Sequence, residues 1–343
     1  MMDDYSRYSR QMTLKEIGRE GQRLLEESRV TVVGLGALGS VSANLLARAG
    51  VGYLKLIDRD YLEVNNLQRQ VLFDEMDLLE DLPKAVAAKR QLGRINSEIQ
   101  IEAQAADLNC ETIEELLAGA DLMIDGTDNF ETRYLLNDYS LKKKIPWIYG
   151  GAIRTEGMSY VVLPGDGPCL RCLFGQAPEP GSIQTCDQVG ILAPVAHLIA
   201  SFQTVEAIKI LARHFEAVER ALWKVDLWSR EFKTISVEHL KDVPCSGCEK
   251  SEYPYLNLHL ATRTVALCGR NAVQILNGSK ERMDFRQLAE RLSAEGEVKF
   301  NEHLLRYRLA SYEITVFSNG RAIVKGTENP GQAKNLYSRY IGA

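Results

Sequence analysis

Residues Arg29 to Ser40 read RVTVVGLGALGS, an apolar strand running into a glycine-rich turn and then a helix. Arg29 to Val33 is β-branched enough to be a buried strand, and a helical run follows from Ala37 to Ala49. Between them Gly34, Gly36 and Gly39 stand at G-x-G-x-x-G spacing, the pattern of a nucleotide-binding βαβ unit. Gly34 permits the tight turn, Gly36 removes a side chain where phosphate oxygens approach backbone, and Gly39 lets the helix sit close to the sheet. Unpaired N–H groups at the helix N-terminus then face the phosphates. A strand-to-helix connection with no ligand is the bland alternative.

Working outward, Gly52 to Ile57 is a second strand ending in Asp58, 19 residues beyond Gly39, where a carboxylate receives ribose hydroxyls. The next stretch, DYLEVNNLQRQ from Asp60 to Gln70, is an irregular polar loop where a plain dinucleotide fold goes straight to its next helix. It gathers Asn66, Arg69 and Gln70 behind the strand end. Pro83 then opens a helix to Arg94 with Lys84 in its first turn. Arginine and lysine so near the glycine turn suit a ligand with more negative charge than a diphosphate bridge.

Ile99 to Gln104 and Leu122 to Ile124 read as further strands, with a short helix from Thr112 to Ala118 between them. The second of these runs into Asp125-Gly126-Thr127-Asp128-Asn129 and a helix from Phe130 to Leu141. Carboxylates outside the carboxyl end of a central strand sit at the ligand crevice of a doubly wound sheet. Asp128 there either holds magnesium, which takes few protein carboxylates and completes its shell with phosphate and water, or caps the helix. Ile145 to Gly151 is another strand, and Gly157 to Leu163 turns back against it as an antiparallel addition.

Cys169-Leu170-Arg171-Cys172 is answered far downstream by Cys245-Ser246-Gly247-Cys248. Two C-x-x-C knuckles give four thiolates, the ligand set of a closed structural zinc site with no position left for activating water. Cys186 stands apart, in a Gly/Pro/Gln-rich segment from Gly175 to Gln188 that reads as mobile. It is either a plain thiol or a nucleophile, and Asp187 beside it opposes thiolate formation. Cys110 and Cys268 have no partner at ligand spacing and read as ordinary buried or half-buried residues.

The 343 residues exceed a typical single core, so two domains, or one large domain with an appendage, are expected. Hydrophobic residues at 45% and charged residues at 25% are those of an ordinary globular protein. A net charge of −5 supplies no basic surplus for a nucleic-acid partner. The first residues, MMDDYSRYSRQM, lack the apolar core of a signal peptide, and seven cysteines without one suggest reduced thiols in a cytoplasmic setting. Val189 to Phe215 is the most apolar long segment, but Gln203, Glu206 and Lys209 interrupt it, so it reads as a buried helix rather than a membrane span. Tyr5 to Glu27 is polar and then helical, with Leu24 and Leu25 inward. Arg7 and Arg10 lie early in it, on an arm able to reach a neighbouring subunit or simply solvated.

After Cys248 a linker, Glu249 to Tyr255, leads to strand-like runs at Thr264 to Ile275 and Tyr312 to Lys325 and helical ones at Asp284 to Ser293 and Asn329 to Tyr340. Ser318-Asn319-Gly320 reads as a hairpin turn. The expected organisation is α/β: a Rossmann-like, doubly wound, mostly parallel sheet with antiparallel additions and the tetracysteine site over residues 1–250. A small α+β domain follows over 251–343.

These motifs together resemble the ThiF/MoeB family, relatives of the ubiquitin-activating enzymes that adenylate the C-terminal glycine of small sulfur-carrier proteins. The resemblance is carried by RYSRQ at Arg7 to Gln11, GLGALG at Gly34 to Gly39, DRDYLEVNNLQRQ at Asp58 to Gln70, GTDN at Gly126 to Asn129, AIRTEG at Ala152 to Gly157, and the two knuckles. GRAIVKGT at Gly320 to Thr327 and LYSRYIG at Leu336 to Gly342 look like the extension of some ThiF-type members, which favours thiamine thiazole synthesis over molybdopterin synthesis. The resemblance implies that Gly36 and neighbouring backbone cradle ATP, Asp58 binds ribose, Asn66, Arg69 and Lys84 contact phosphates, and Asp128 binds magnesium. It also implies that Arg10 comes from the other subunit of a homodimer and that Cys186 is the crossover-loop cysteine, engaged in thioester or acyl-disulfide chemistry in some members. A ubiquitin-like carrier ending in Gly-Gly and a sulfur-donor protein are the implied partners. An NAD-dependent oxidoreductase or a carrier-binding scaffold without catalysis are the competing readings.

Overall fold

The strand before the glycine turn is buried at four successive positions, Val30 to Val33, so it needs cover on both faces, and the chain provides it. A computed structural model describes residues 6–178, 186–257, 264–267, 271–275, 283–293 and 295–341. These divide into two compact units, one holding 6–178 and 190–257, the other 186–189 and the described residues from 264 onward.

The first unit is built on an eight-stranded sheet. Its strands are β1 (Arg29–Val33), β2 (Tyr53–Ile57), β3 (Gln100–Gln104), β4 (Leu122–Asp125), β5 (Trp147–Ile153), β6 (Glu156–Val162), β7 (Leu222–Asp226) and β8 (Glu231–Ile235). Their spatial order is β3-β2-β1-β4-β5-β6-β7-β8. The first five pair in parallel and the last three are added antiparallel. Strand order reverses at β1, which has β2 on one side and β4 on the other, with Val33 paired to both Ile57 and Asp125. That reversal leaves a crevice at the carboxyl ends of β1 and β4, the place where open α/β sheets bind ligands.

Side-chain alternation sorts the sheet into two cores. Val32, Leu56 and Ile124 fall in one layer with Ala43, Leu46, Ala88 and Leu92 from the helices Gly39–Ala49 and Lys84–Ile95. Their neighbours Val33, Ile57 and Met123 fall in the other, with Tyr134, Leu135 and Tyr139 from the helix Phe130–Lys143. The long helix Ala193–Leu211 adds Ala207, Ile210 and Leu211 to the first layer. Its polar interruptions are accounted for: Gln203 is fully buried and hydrogen-bonded, and Lys209 pairs with Glu206 at 2.6 Å. No helix among the described residues is long and apolar enough to cross a membrane.

Three glycines close the turn by touching one another. A Cβ on Gly39 would lie 1.8 Å from the Gly34 carbonyl oxygen, and one on Gly126 would lie 2.3 Å from the same atom. Gly34 itself has φ +83°, which a side chain rarely tolerates. The helix therefore starts at Gly39, two residues later than its period suggests, because Ala37 and Leu38 are spent on the turn.

The second unit carries a six-stranded antiparallel sheet, β9 (Thr264–Leu267), β10 (Ala272–Ile275), β11 (Glu297–Phe300), β12 (Leu304–Arg308), β13 (Glu313–Phe317) and β14 (Ala322–Lys325), in the order β11-β12-β13-β14-β10-β9. Helices Phe285–Leu292 and Pro330–Tyr340, capped by Asp284 and Asn329, contribute Leu288, Leu292, Ala333 and Tyr337 to its core, with Leu305, Tyr307, Ile314 and Val316 from the sheet. The hairpin at Ser318-Asn319-Gly320 joins β13 to β14, with Gly320 at φ +79°. The pair β11 and β12 does not stand out in the sequence, since Glu297–Phe300 is charged and mostly exposed. Cys268 and residues 179–185 of the segment around Cys186 lie outside the described residues.

Candidate nucleotide site and metal centre

Gly36 is the one member of the glycine turn with room beside it. An added Cβ there would meet only the Gly126 carbonyl oxygen at 3.8 Å and the Gln70 side-chain nitrogen at 4.0 Å. Gln70 Oε1 and Ser40 Oγ next to this space are buried without a hydrogen-bond partner among the described residues. The Ser40 hydroxyl beside an uncapped helix start is a donor that a phosphate would satisfy, and the Gln70 oxygen is an acceptor for a ligand hydroxyl or N–H.

On the β2 side, Asp58 is buried and already holds the turn in shape. Its Oδ2 accepts the Leu35 N–H at 2.6 Å and its Oδ1 the Asp60 N–H at 2.7 Å. Burial pushes its carboxyl above the usual carboxylate range, and the charge of Lys84 draws it back down. Lys84 Nζ lies 3.5 Å from Asp60 Oδ2, its own N–H donates to the Asp60 carbonyl at 2.9 Å, and Tyr61 bridges to Pro83. The irregular loop is thus folded back onto the start of the helix Lys84–Ile95. Asn66 is buried and closes a capping box with Glu63, while Arg69 donates to the Asn65 carbonyl at 2.6 Å and lies next to Gln70.

On the β4 side the capping question resolves in favour of a neighbour. Asn129 caps the helix Phe130–Lys143 through Thr132 N–H at 2.9 Å, which leaves the exposed Asp128 carboxylate outside that duty. Asp125, fully buried, braces the loop instead: it accepts from Thr127 N–H and Oγ1 at 2.9 and 2.6 Å and from Arg133 Nε at 3.0 Å. Arg133 in turn donates to the carbonyls of Thr127 and Gly150. Gln203 donates to the carbonyls of Asp125 and Ile148 and accepts from Ser42. Arg133 and Gln203 were not among the expected site residues; Arg133 sits at helical spacing after GTDN, and Gln203 interrupts an apolar run, which are the only signals available. Asp58, Asp60 and Lys84 thus lie together beside the glycine turn, Gln70, the neighbour of Arg69, reaches toward Gly36, and Asp128 lies in the field of Arg59, which follows Asp58.

Arg10 does not join them. It is exposed on the short helix Ser9–Met12, where Tyr8 packs on Gly50 and Gln11 donates to the Ala49 carbonyl at 3.0 Å. That is the far end of the helix Gly39–Ala49, about 15 Å from the glycine turn at 1.5 Å per residue. Arg7, by contrast, is tied to its own chain by Glu98 at 3.2 Å and the Ile95 carbonyl. Cys186 opens the helix Cys186–Val189 and belongs to the second unit.

The knuckles do meet. Cys169, Cys172, Cys245 and Cys248 place their sulfurs within 4.8 Å of one another, with adjacent Sγ···Sγ distances of 3.7, 3.8 and 3.7 Å. A tetrahedral zinc with bonds of about 2.3 Å sets its sulfurs about 3.8 Å apart. Around them Arg171 pairs with Asp138 at 2.7 Å and donates to Ser246 Oγ at 3.0 Å, and Asn137 accepts the Leu170 N–H. Tyr255, expected in a linker, instead donates its N–H to Asp138 and stacks on Tyr134 with ring centroids 5.3 Å apart.

Fold and centre together define a Rossmann-like α/β protein with a ligand crevice at the switch point and a tetracysteine cluster able to hold zinc. Residues 8–247 match the ThiF family, and the chain belongs to that family. It is 40% identical over 337 residues to the sulfur carrier protein ThiS adenylyltransferase of Bacillus subtilis (strain 168), covering 98% of this chain and 99% of that one. It is 39% identical over 241 residues to the SAMP-activating enzyme E1 of Haloferax volcanii, covering 70% and 88%. A crystal structure of E. coli MccB with ATP shares the fold, with a TM-score of 0.61 at 23% identity over 72% of this chain and 75% of that one.

Proposed function

We propose that this chain uses ATP to adenylate the C-terminal glycine carboxylate of a ThiS-like sulfur carrier, releasing pyrophosphate, for sulfur transfer in thiamine thiazole synthesis. The observation that carries this reading is the buried pairing of Asp58 and Lys84 around Asp60 beside a glycine turn that is open at Gly36. The likeness to the B. subtilis ThiS adenylyltransferase runs through the second unit as well, which supports a ThiS-like rather than a MoaD-like carrier.

The chemistry needs no general base, because a glycine carboxylate is already ionised at neutral pH. What opposes reaction is an anion approaching polyphosphate. Gly36 and the helix start admit the phosphates against backbone, Asp58 fixes the ribose, and Arg69, Lys84 and Asn66 face the phosphate oxygens. Catalysis is then alignment and charge neutralisation. Asp128 would hold magnesium, which when bound supplies further neutralisation of phosphate charge. The four cysteines would hold zinc as a structural clamp. A nicotinamide dinucleotide brings only a diphosphate bridge, less negative charge than suits the arginine and lysine beside the glycine turn.

The distance between Arg10 and its own glycine turn supports a homodimer in which each subunit lends Arg10 to the other. Cys186 is assigned to covalent capture of the activated carrier, with a sulfur-donor protein acting afterwards. The enzyme works in the cytoplasm, with adenylation housed in residues 1–250 and a separate α+β domain in 251–343. ATP–pyrophosphate exchange that appears only when a purified ThiS-like carrier is added tests the assignment; exchange with a MoaD-like carrier alone would redirect it. Absence of exchange with either would remove it. A carrier adduct on Cys186, trapped without reductant and read by mass, tests the covalent step.

A further inference from the structure

Next to Asp58 stands a charged residue that the phosphate set leaves unexplained. Arg59 follows the end of β2, and its Nη1 lies 3.0 Å from Oδ1 of Asp107, just past the end of β3. The two side chains are 24% and 12% exposed. The other Asp107 oxygen accepts from Asn109 at 3.3 Å, so the carboxylate is fixed from both sides. Asp60 and Asp128 add to the negative field around the guanidinium, and Glu131, its carboxyl pushed up by burial and by Asp107, lies in the same cluster. Arg59 thus occupies the point where the loops leaving β2, β3 and β4 come together.

In a βαβ nucleotide site the ribose sits at the acid ending β2, and the base continues outward past the ends of β2 and β3. A guanidinium held at one nitrogen by a carboxylate can take an aromatic ring on its flat face without giving up that bond, an arrangement that a lysine ammonium does not reproduce. We propose that Arg59, anchored by Asp107, is a specificity-determining residue whose guanidinium plane stacks on the purine base of the nucleotide. This rests on the nucleotide site proposed above. It assigns affinity for the base to Arg59 and affinity for the phosphates to Gly36, Asn66, Arg69 and Lys84.

Titration calorimetry on the full-length protein with magnesium, using ATP, AMP and inorganic tripolyphosphate as separate probes, distinguishes stacking from bulk charge. Arg59→Leu is expected to weaken ATP and AMP at least about tenfold, the scale of one lost base stack, while tripolyphosphate binding stays within about twofold. Arg59→Lys should fail to restore ATP affinity, and Arg59→Tyr, which replaces one flat face with another, should recover most of it. In carrier-dependent exchange the Arg59→Leu loss should fall on KM for ATP, with kcat nearly unchanged. Equal losses for ATP and tripolyphosphate, full rescue by Arg59→Lys, or no effect of Arg59→Leu would each overturn the stacking role. Wild-type protein that binds no ATP would overturn the nucleotide site itself, a result visible before any variant is made.

Discussion

Arg133 Nε lies 3.0 Å from Oδ2 of Asp125, and both side chains are buried at the carboxyl end of β4. The same arginine bonds the Thr127 and Gly150 carbonyls, so one side chain ties the β4 loop to β5. Removing one partner of a buried pair leaves an uncompensated charge. Arg133→Met is therefore expected to cost about 3–5 kcal/mol, read as a lower midpoint in urea unfolding. An unchanged midpoint would show that the loop is held by other means.

Gly36→Ala and Gly39→Ala should separate ligand from fold. A methyl at Gly39 collides with the Gly34 carbonyl at 1.8 Å, so that variant should be unstable or insoluble. A methyl at Gly36 meets nothing closer than 3.8 Å, so that variant should fold with a normal melting temperature yet bind ATP more weakly. If Gly36→Ala binds ATP as wild type does, the space beside it is not where phosphate sits.

Asp128 is exposed and Arg69 partly so, and neither supports the core. Asp128→Ala or Arg69→Ala should lower adenylation by about 100-fold or more, the scale for losing one charge-stabilising group, with far-ultraviolet circular dichroism unchanged. Near-normal exchange in either folded variant would count against the assigned chemistry.

Cys172→Ala should damage stability rather than chemistry, because metal binding at such a site is part of the folding free energy. Purified wild-type protein should contain about one zinc per chain, released by a thiol-blocking mercurial, and the variant should melt well below it. A variant lacking zinc but melting at the wild-type temperature would refute a structural centre.

Subunit mixing tests Arg10. If each crevice borrows Arg10 from its partner, Arg10→Ala and Asp128→Ala are each inactive alone. Refolded together they should regain about a quarter of wild-type activity, since half the dimers are mixed and each restores one of two sites. No recovery would place Arg10 in its own chain's chemistry or outside it altogether.

Much of this architecture can be read from the chain because glycine spacing and strand alternation are local signals. Gly34, Gly36, Gly39 and Asp58 announce the first βαβ unit, and two C-x-x-C pairs announce the metal centre. What stays hidden depends on contacts between distant segments. Arg133 reads as one more helix residue until Asp125 and Gly150 are brought beside it, and Gln203 reads as a blemish until three elements meet on its amide. Arg59 and Asp107, nearly fifty positions apart, have no sequence relation that marks them as a pair. The strands β11 and β12 are missed because one is charged and exposed, which removes the alternation a strand is recognised by.

Cys169 and Cys245 are 76 positions apart, and the helix Ala193–Leu211 with strands β7 and β8 lies between the two knuckles. Closing a loop of that length costs chain entropy with no local contact to offset it, so the four thiols gather most readily once that helix and those two strands are in place. Metal uptake in refolding should therefore be a late event, a latch that fastens an assembled body rather than a seed that starts one.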